Sequence, residues 1–117
     1  MELYNVTRQV TLASQVELAN TFWRRCRGLL GRPEMPHGSG LLLTPCRAIH
    51  TCFMRFAIDV LFVDREFQVL FVIEEMQPFV ISPKIPEAKM VIELPAGTVR
   101  SSNTRVGDLL KLTALIK

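Results

Sequence analysis

The sequence lacks the long apolar runs of a membrane protein. Although 49% of its 117 residues are hydrophobic, no apolar segment approaches the roughly 20 residues that a spanning helix needs. The first residues, Met1 to Asn5, have neither the basic flank nor the continuous apolar core of a secretory signal. We therefore expect a cytoplasmic protein that does not associate with a membrane.

Cysteine is also scarce. The chain has three cysteines, and an odd number in a chain of this length does not form a disulfide framework. This favours free thiols in a reducing compartment. Only 21% of the residues are charged, and there is no internal repeat, low-complexity tract or linker, so the composition is that of one folded unit. We predict a single domain over residues 1–117.

Lysine is absent from the first half of the chain. Residues 1–58 contain seven arginines against three glutamates, whereas residues 59–117 contain seven arginines or lysines against eight acidic residues. The planar guanidinium group suits carboxylates and phosphates, so a small anionic ligand is one candidate partner. Nucleic acid fits less well, because the net charge is only +3 and the arginines are not interleaved with exposed aromatic residues.

The first third of the chain predicts strands followed by a helix. Alternation of apolar and polar residues between Leu3 and Ala19 is typical of a β-hairpin or of two short strands. Asn20 or Thr21 then caps an amphipathic helix of about ten residues, and Gly31 ends it. The apolar side of this helix comprises Phe22, Trp23, Cys26, Leu29 and Leu30.

The rest of the chain predicts further short strands. Runs of apolar residues with strand-like spacing lie at residues 41–43, 49–54, 58–63, 69–73, 90–94 and 109–115. Two of these runs are separated by residues 64–67, the length of a turn, which predicts a hairpin. Many short strands with one short amphipathic helix indicate a mostly β fold, a β-sandwich or barrel of jelly-roll type.

Short motifs follow one another along the chain in a fixed order. They are Arg24-x-x-Arg27-Gly28-Leu29-Leu30-Gly31-Arg32, Gly40-Leu41-Leu42-Leu43, Ile49-His50-Thr51-x-Phe53-Met54, Ile58-Asp59-Val60-Leu61-Phe62, Glu93-Leu94-Pro95-Ala96-Gly97 and Gly107-Asp108. In this order and spacing the chain resembles the domain of unknown function 192 family, a group of small bacterial and archaeal proteins. The resemblance implies a compact all-β fold of jelly-roll or barrel type with one short helix, and it implies no activity. The chain departs from the family pattern at Phe67, where glycine is more typical, and at Ala57, where proline is frequent.

The densest group of reactive side chains is Cys46, His50 and Cys52. If residues 49–54 form a strand, His50 and Cys52 share one face and could chelate a metal with Cys46 as a third ligand. Alternatively, a cysteine is a nucleophile with His50 as its base. The spacing is not that of a zinc finger, however, and no fourth ligand or oxyanion hole is evident. The pattern favours buried structural cysteines, and we predict no metal site.

Two acidic residues interrupt apolar strands. Since burial of an unpaired carboxylate is unfavourable, Asp59 predicts an ion pair with Arg27 or Arg55 that ties the helix to the sheet. Glu93 fits two roles: a second acid in a pocket with His50 and Asp59, or a rim residue that accepts hydrogen bonds from the backbone of the turn that follows it. The second role is favoured.

Three functions are compatible with these observations. The first is a non-enzymatic binding module with a shallow pocket built by Arg27, His50, Asp59 and Glu93, which holds a small anionic or polar ligand or the tail of a protein partner. The second is a metal-dependent or thiol enzyme centred on Cys46, His50 and Cys52. The third is a structural or assembly domain without a small-molecule site. The pattern identifies neither a cofactor nor an oligomeric state.

Overall fold

The computed structural model describes residues 1–21, 25 and 28–114. These residues form eight strands and one short helix, so the mostly β prediction is confirmed. None of the helical residues described belongs to a segment long and apolar enough to span a bilayer. The elements are β1 (Glu2–Asn5), β2 (Val10–Ala13), β3 (Gln15–Ala19), β4 (Ser39–Leu43), β5 (Ile58–Val63), β6 (Val69–Met76), β7 (Met90–Pro95), α1 (Thr98–Ser102) and β8 (Leu110–Thr113).

The strands form two sheets. One has three strands in the order β2-β1-β8, and the other has five in the order β3-β4-β7-β5-β6. Strand β3 is parallel to β4, and the other pairings are antiparallel. The two sheets stay separate, so the predicted barrel alternative is wrong, and the jelly-roll connectivity stays a prediction.

The central strands β5 and β7 of the five-stranded sheet are buried on both faces. Along β5 and β7 the register pairs Asp59 with Leu94 and Val60 with Glu93, and side chains alternate between faces along a strand. Asp59 therefore belongs to the face that packs on the three-stranded sheet and α1, in a core that includes Leu3. Glu93 belongs to the opposite face, which is covered by connecting segments that contribute Leu29, Ile49, Met54 and Ala88.

The β5–β6 hairpin is confirmed, and its turn has a clear cause. The Asp64 carboxylate accepts hydrogen bonds from the backbone N–H groups of Glu66 and Gln68, at 3.0 and 2.9 Å. Phe67 adopts a left-handed φ of 65°, a conformation that glycine reaches without steric strain. The residue that departs from the family pattern thus occupies a position at which glycine is favoured.

The predicted strand at residues 49–54 is wrong. His50 forms an isolated bridge with Ile81, and the residues that follow form a turn in which Phe53 has a φ of 65°. The cause is Thr51, whose backbone and hydroxyl bond to the segment at residues 77–80 rather than to a neighbouring strand. His50 and Cys52 therefore do not share a strand face.

Two further differences concern helices. The predicted amphipathic helix falls largely on residues 22–24, 26 and 27, which lie outside the described residues, as do Phe22, Trp23 and Cys26. The sequence did not predict α1, because five residues are too few to show a helical apolar period. This helix begins just after the turn at Gly97, whose φ of 97° is left-handed.

Candidate functional site

An open cavity of about 310 Å³ lies on the face of the five-stranded sheet that the connecting segments cover. Strand β7 provides Glu93 to its lining, and the segment after β4 provides Cys46 and His50. Arg25 contributes a second charged group. The remaining lining is mostly apolar and includes Leu29, Leu30, Leu43, Ile49 and Met54.

Glu93 is the most unusual group in this cavity. Its side chain is only 4% exposed, and within the described part of the chain its Oε1 atom has no hydrogen-bond partner. Burial raises the pKa of this carboxyl from 4.5 to about 7, although the charge of Arg32 acts in the opposite direction. The sequence identified Glu93 as an acid inside an apolar run and favoured a rim residue bonded to the following turn. The structure shows instead a buried side chain whose Oε1 atom has no such bond.

The Cys46 thiol shares the cavity with groups of opposite charge. Burial raises its pKa and the charge of Glu93 raises it further, whereas a hydrogen bond to Ala48 and the charge of Arg25 act against this. The thiol donates to the carbonyl oxygen of Ala48 at 3.2 Å. A raised pKa keeps the sulfur protonated at neutral pH, and the thiolate is the nucleophilic form. The direction of this shift therefore disfavours Cys46 as the nucleophile of a thiol enzyme.

His50 lies at the exposed rim of the cavity. Its Nδ1 atom accepts a hydrogen bond of 3.3 Å from the backbone N–H of Cys52. Cys52 itself does not belong to the cavity lining. Among residues 1–21, 25 and 28–114, no three side chains of His, Cys, Asp or Glu are grouped so that they could hold a metal ion. The hypothetical ligand trio of Cys46, His50 and Cys52 is therefore not assembled.

Asp59 lies on the opposite face of the sheet and is completely buried. One oxygen accepts from the backbone N–H of Glu75 at 2.8 Å, and the other accepts from those of Gly97 and Val99 at 3.1 and 2.8 Å. These bonds fix the start of α1 and a bulge in β6, where the register with β5 shifts between residues 73 and 76. Asp59 is thus the acid that satisfies the turn after β7, the role favoured for Glu93 from the sequence.

The predicted ion pair of Asp59 is not found with Arg55. In the part of the chain that the structure describes, the salt bridges are Arg8–Asp108 and Arg32–Glu17. Backbone N–H groups satisfy Asp59 instead, since a tight turn presents several unpaired donors in one direction. The other predicted partner, Arg27, lies outside the described residues.

The structure thus brings two of the four predicted pocket residues together. His50 and Glu93 share the cavity, whereas Asp59 lies on the other face and Arg27 is not among the residues described. The sequence did not predict Arg25 for this site, and it predicted Cys46 to be a structural cysteine, with a metal or thiol centre as the alternative. The arginine-rich first half was the one signal that pointed towards Arg25.

Comparison with known proteins identifies the same family that the sequence motifs resemble. The sequence model of the family described as "Uncharacterized ACR, COG1430", domain of unknown function 192, matches residues 4–112. The chain is 32% identical over 110 residues to the UPF0127 protein of Thermococcus sibiricus, an alignment that covers 91% of this chain and 71% of that protein. It is 31% identical over 121 residues to the UPF0127 protein of Pyrococcus furiosus, with 97% and 100% covered.

The fold is similar to that of a solved bacterial protein. The crystal structure of a protein of unknown function from Novosphingobium aromaticivorans superimposes with a TM-score of 0.82 and covers 95% of this chain and 82% of that one. The two sequences are 18% identical. This similarity establishes the fold and carries no statement about activity.

Proposed function

Because this chain belongs to the domain of unknown function 192 family, whose description assigns no activity, we propose from the cavity that it is a non-enzymatic module that binds a small polar ligand. The observation that carries the proposal is the buried Glu93 carboxyl, whose Oε1 atom faces no donor within the described residues. His50, at the rim of the cavity, would provide a second polar contact to the ligand.

The energetics of Glu93 support a binding role. A buried acceptor without a partner destabilises a fold by about 1–3 kcal/mol, and a ligand N–H or O–H group would remove that penalty on binding. Apolar neighbours such as Leu43 and Met54 would contact the rest of the ligand. A largely apolar cavity with a few convergent polar groups is the common form of a small-molecule site.

The remaining parts of the proposal follow from the chain as a whole. Residues 1–117 act as one domain, and the free Cys46 and Cys52 thiols fit a cytoplasmic, reducing compartment. The raised pKa of the Cys46 thiol disfavours nucleophilic catalysis by this residue and so favours a binding role. Arg27 stays a predicted contributor to the pocket, and a small anionic or polar ligand is preferred to nucleic acid.

A ligand screen by NMR tests this function. The ¹⁵N-labelled protein is mixed with a panel of small amines, amides, alcohols, carboxylic acids and amino acids. Binders should shift the amide resonances of Cys46, His50 and Glu93. In the Glu93→Met variant, which removes the acceptor and keeps the length of the side chain, we expect affinity to fall by about tenfold or more, the equivalent of one charge-assisted hydrogen bond.

The matched control is Glu74→Met, the same change at an exposed position of β6, and it should leave the affinity unchanged. The proposal is wrong if no compound in the panel shifts the cavity resonances. It is equally wrong if the compounds that do so bind Glu93→Met as tightly as the wild-type protein.

A further inference from the structure

The cavity contains a cationic group as well as the Glu93 carboxyl. The Arg25 guanidinium group donates from Nη1 to the carbonyl oxygens of Asn20 and Thr44, both at 3.4 Å. These are long contacts, since N–H···O bonds cluster near 2.9–3.0 Å. No carboxylate among the described residues forms a salt bridge with Arg25. Its charge is therefore available to a ligand.

The charges of Glu93 and Arg25 both affect the thiol of Cys46, which lines the same cavity. Apart from burial, the pKa of its thiol is raised by the charge of Glu93 and lowered by the charge of Arg25. Coulomb interactions weaken with distance, and between exposed charges they are largely screened beyond about 10 Å in salt solution. An acidic side chain, a basic side chain and one thiol thus share the lining of this cavity, and the other side chains of the lining are mostly apolar.

This arrangement selects among small polar ligands. A simple amine would pair with Glu93 but would meet the positive charge of Arg25. A simple carboxylate would pair with Arg25 but would meet the negative charge that Glu93 carries above its pKa of about 7. A molecule with both groups avoids either repulsion, and each of its charges forms a charge-assisted hydrogen bond, which is stronger than a neutral one.

Resting on the function proposed above, we infer that the ligand is a free α-amino acid with an apolar side chain. Its ammonium group bonds to Glu93 and its carboxylate bonds to Arg25. Its side chain lies against apolar lining residues such as Leu43, Ile49 and Met54. A cavity of about 310 Å³ is at the small end of the range for ligand sites, which suits a single amino acid.

Calorimetric titration of the full chain with three related compounds tests this inference. L-Leucine carries both charges, 3-methylbutylamine lacks the carboxylate, and 4-methylpentanoate lacks the amine. We expect leucine to bind at least tenfold more tightly than either analogue. L-Methionine and L-phenylalanine are titrated as well, so that a poor fit of one side chain does not decide the result.

Two variants assign the charged groups. Glu93→Gln should remove the preference for leucine over 4-methylpentanoate, because the ammonium group loses its anionic partner. Arg25→Gln should remove the preference for leucine over 3-methylbutylamine. The controls Glu74→Gln and Arg65→Gln make the same changes at exposed positions outside the cavity lining, and they should leave both preferences intact.

Three outcomes separate this inference from the proposed function. If either analogue binds as tightly as leucine, the two-charge recognition is wrong. If none of the three amino acids binds while another compound of the NMR panel occupies the cavity, the inference fails and the binding function stands. If nothing occupies the cavity, both fail.

Discussion

The buried Glu93 carboxyl predicts that the protein loses stability as the pH rises. Burial raises the pKa of this group from 4.5 to about 7 in the folded state. Between these values the folded protein binds more protons than the unfolded chain, so the free energy of unfolding falls as the pH increases. The stabilisation is fully present below 4.5 and is lost as the pH passes through about 7.

The magnitude follows from the same two values. Since a tenfold change in a proton equilibrium corresponds to about 1.4 kcal/mol, the difference between 4.5 and about 7 corresponds to roughly 3 kcal/mol. The charges that act on Glu93 are already part of this balance, because Arg32 lowers its pKa. Binding of a ligand donor to the carboxylate would reduce the effect, so the measurement is made on the ligand-free protein.

The Glu93→Gln variant isolates this effect. Glutamine has the shape of the neutral acid but does not titrate, so at pH 5 the variant should be about as stable as the wild-type protein. At pH 8.5 it should be more stable by roughly 3 kcal/mol. Urea unfolding followed by circular dichroism at both pH values measures the difference, and all other titrating groups cancel in the comparison. Glu74→Gln is the control and should show no gain.

A contrary result is easily recognised. If Glu93→Gln is destabilised to the same extent at pH 5 and pH 8.5, the carboxyl is ionised and paired in the folded protein. The account of Glu93 as a buried acid whose Oε1 atom has no donor among the described residues would then be refuted.

The other predictions concern polar groups that hold the fold. Asp59→Asn should lower the free energy of unfolding by roughly 2–4 kcal/mol, because an amide cannot accept all three backbone N–H bonds. Adding Arg55→Gln should recover none of this stability. Recovery in the double variant would restore the ion-pair hypothesis. Thr51→Val should destabilise the protein by about 1–3 kcal/mol, since the N–H of residue 80 and the carbonyl of residue 77 lose their hydroxyl partner. An unchanged midpoint of thermal unfolding would contradict this prediction. Burial alone raises the pKa of Asp108, but hydrogen bonds from Arg8, Asn5 and the backbone of residue 105 lower it overall, below its usual 3.8. Asp108→Asn should therefore lose stability at pH 7, and this loss should shrink as the pH falls from 3.8 through the lowered pKa of the folded state. A loss that is equal at neutral and at strongly acidic pH would argue against a charged role.

The sequence was sufficient to predict most strands because their apolar runs are local features. Strand β5 and the turn at Asp64 could be recognised from six apolar-rich residues and one acidic residue that caps its own turn. The strand predicted at residues 49–54 failed for the opposite reason. The bonds of Thr51 reach a segment some 26 to 29 residues away, and alternation within six residues contains no information about such partners.

The two buried acids show why the site itself was only half predictable. Asp59 and Glu93 each interrupt an apolar strand, and nothing in their local sequence distinguishes them. Because β5 is buried on both faces, alternation does not indicate which face either acid occupies. The register between β5 and β7 places them on opposite faces. One then meets the backbone N–H groups of a turn, and the other meets a cavity.

The carboxyl pKa of Glu93, measured by ¹³C NMR without and with a saturating ligand from the panel, tests the central claim most directly. We predict a pKa of about 7 in the free protein and a clear decrease in the complex, because a donor bonded to the carboxylate favours its ionised form. A pKa near 4.5 in the free protein, or a value that no bound ligand changes, would contradict the assignment of this cavity as a ligand-binding site.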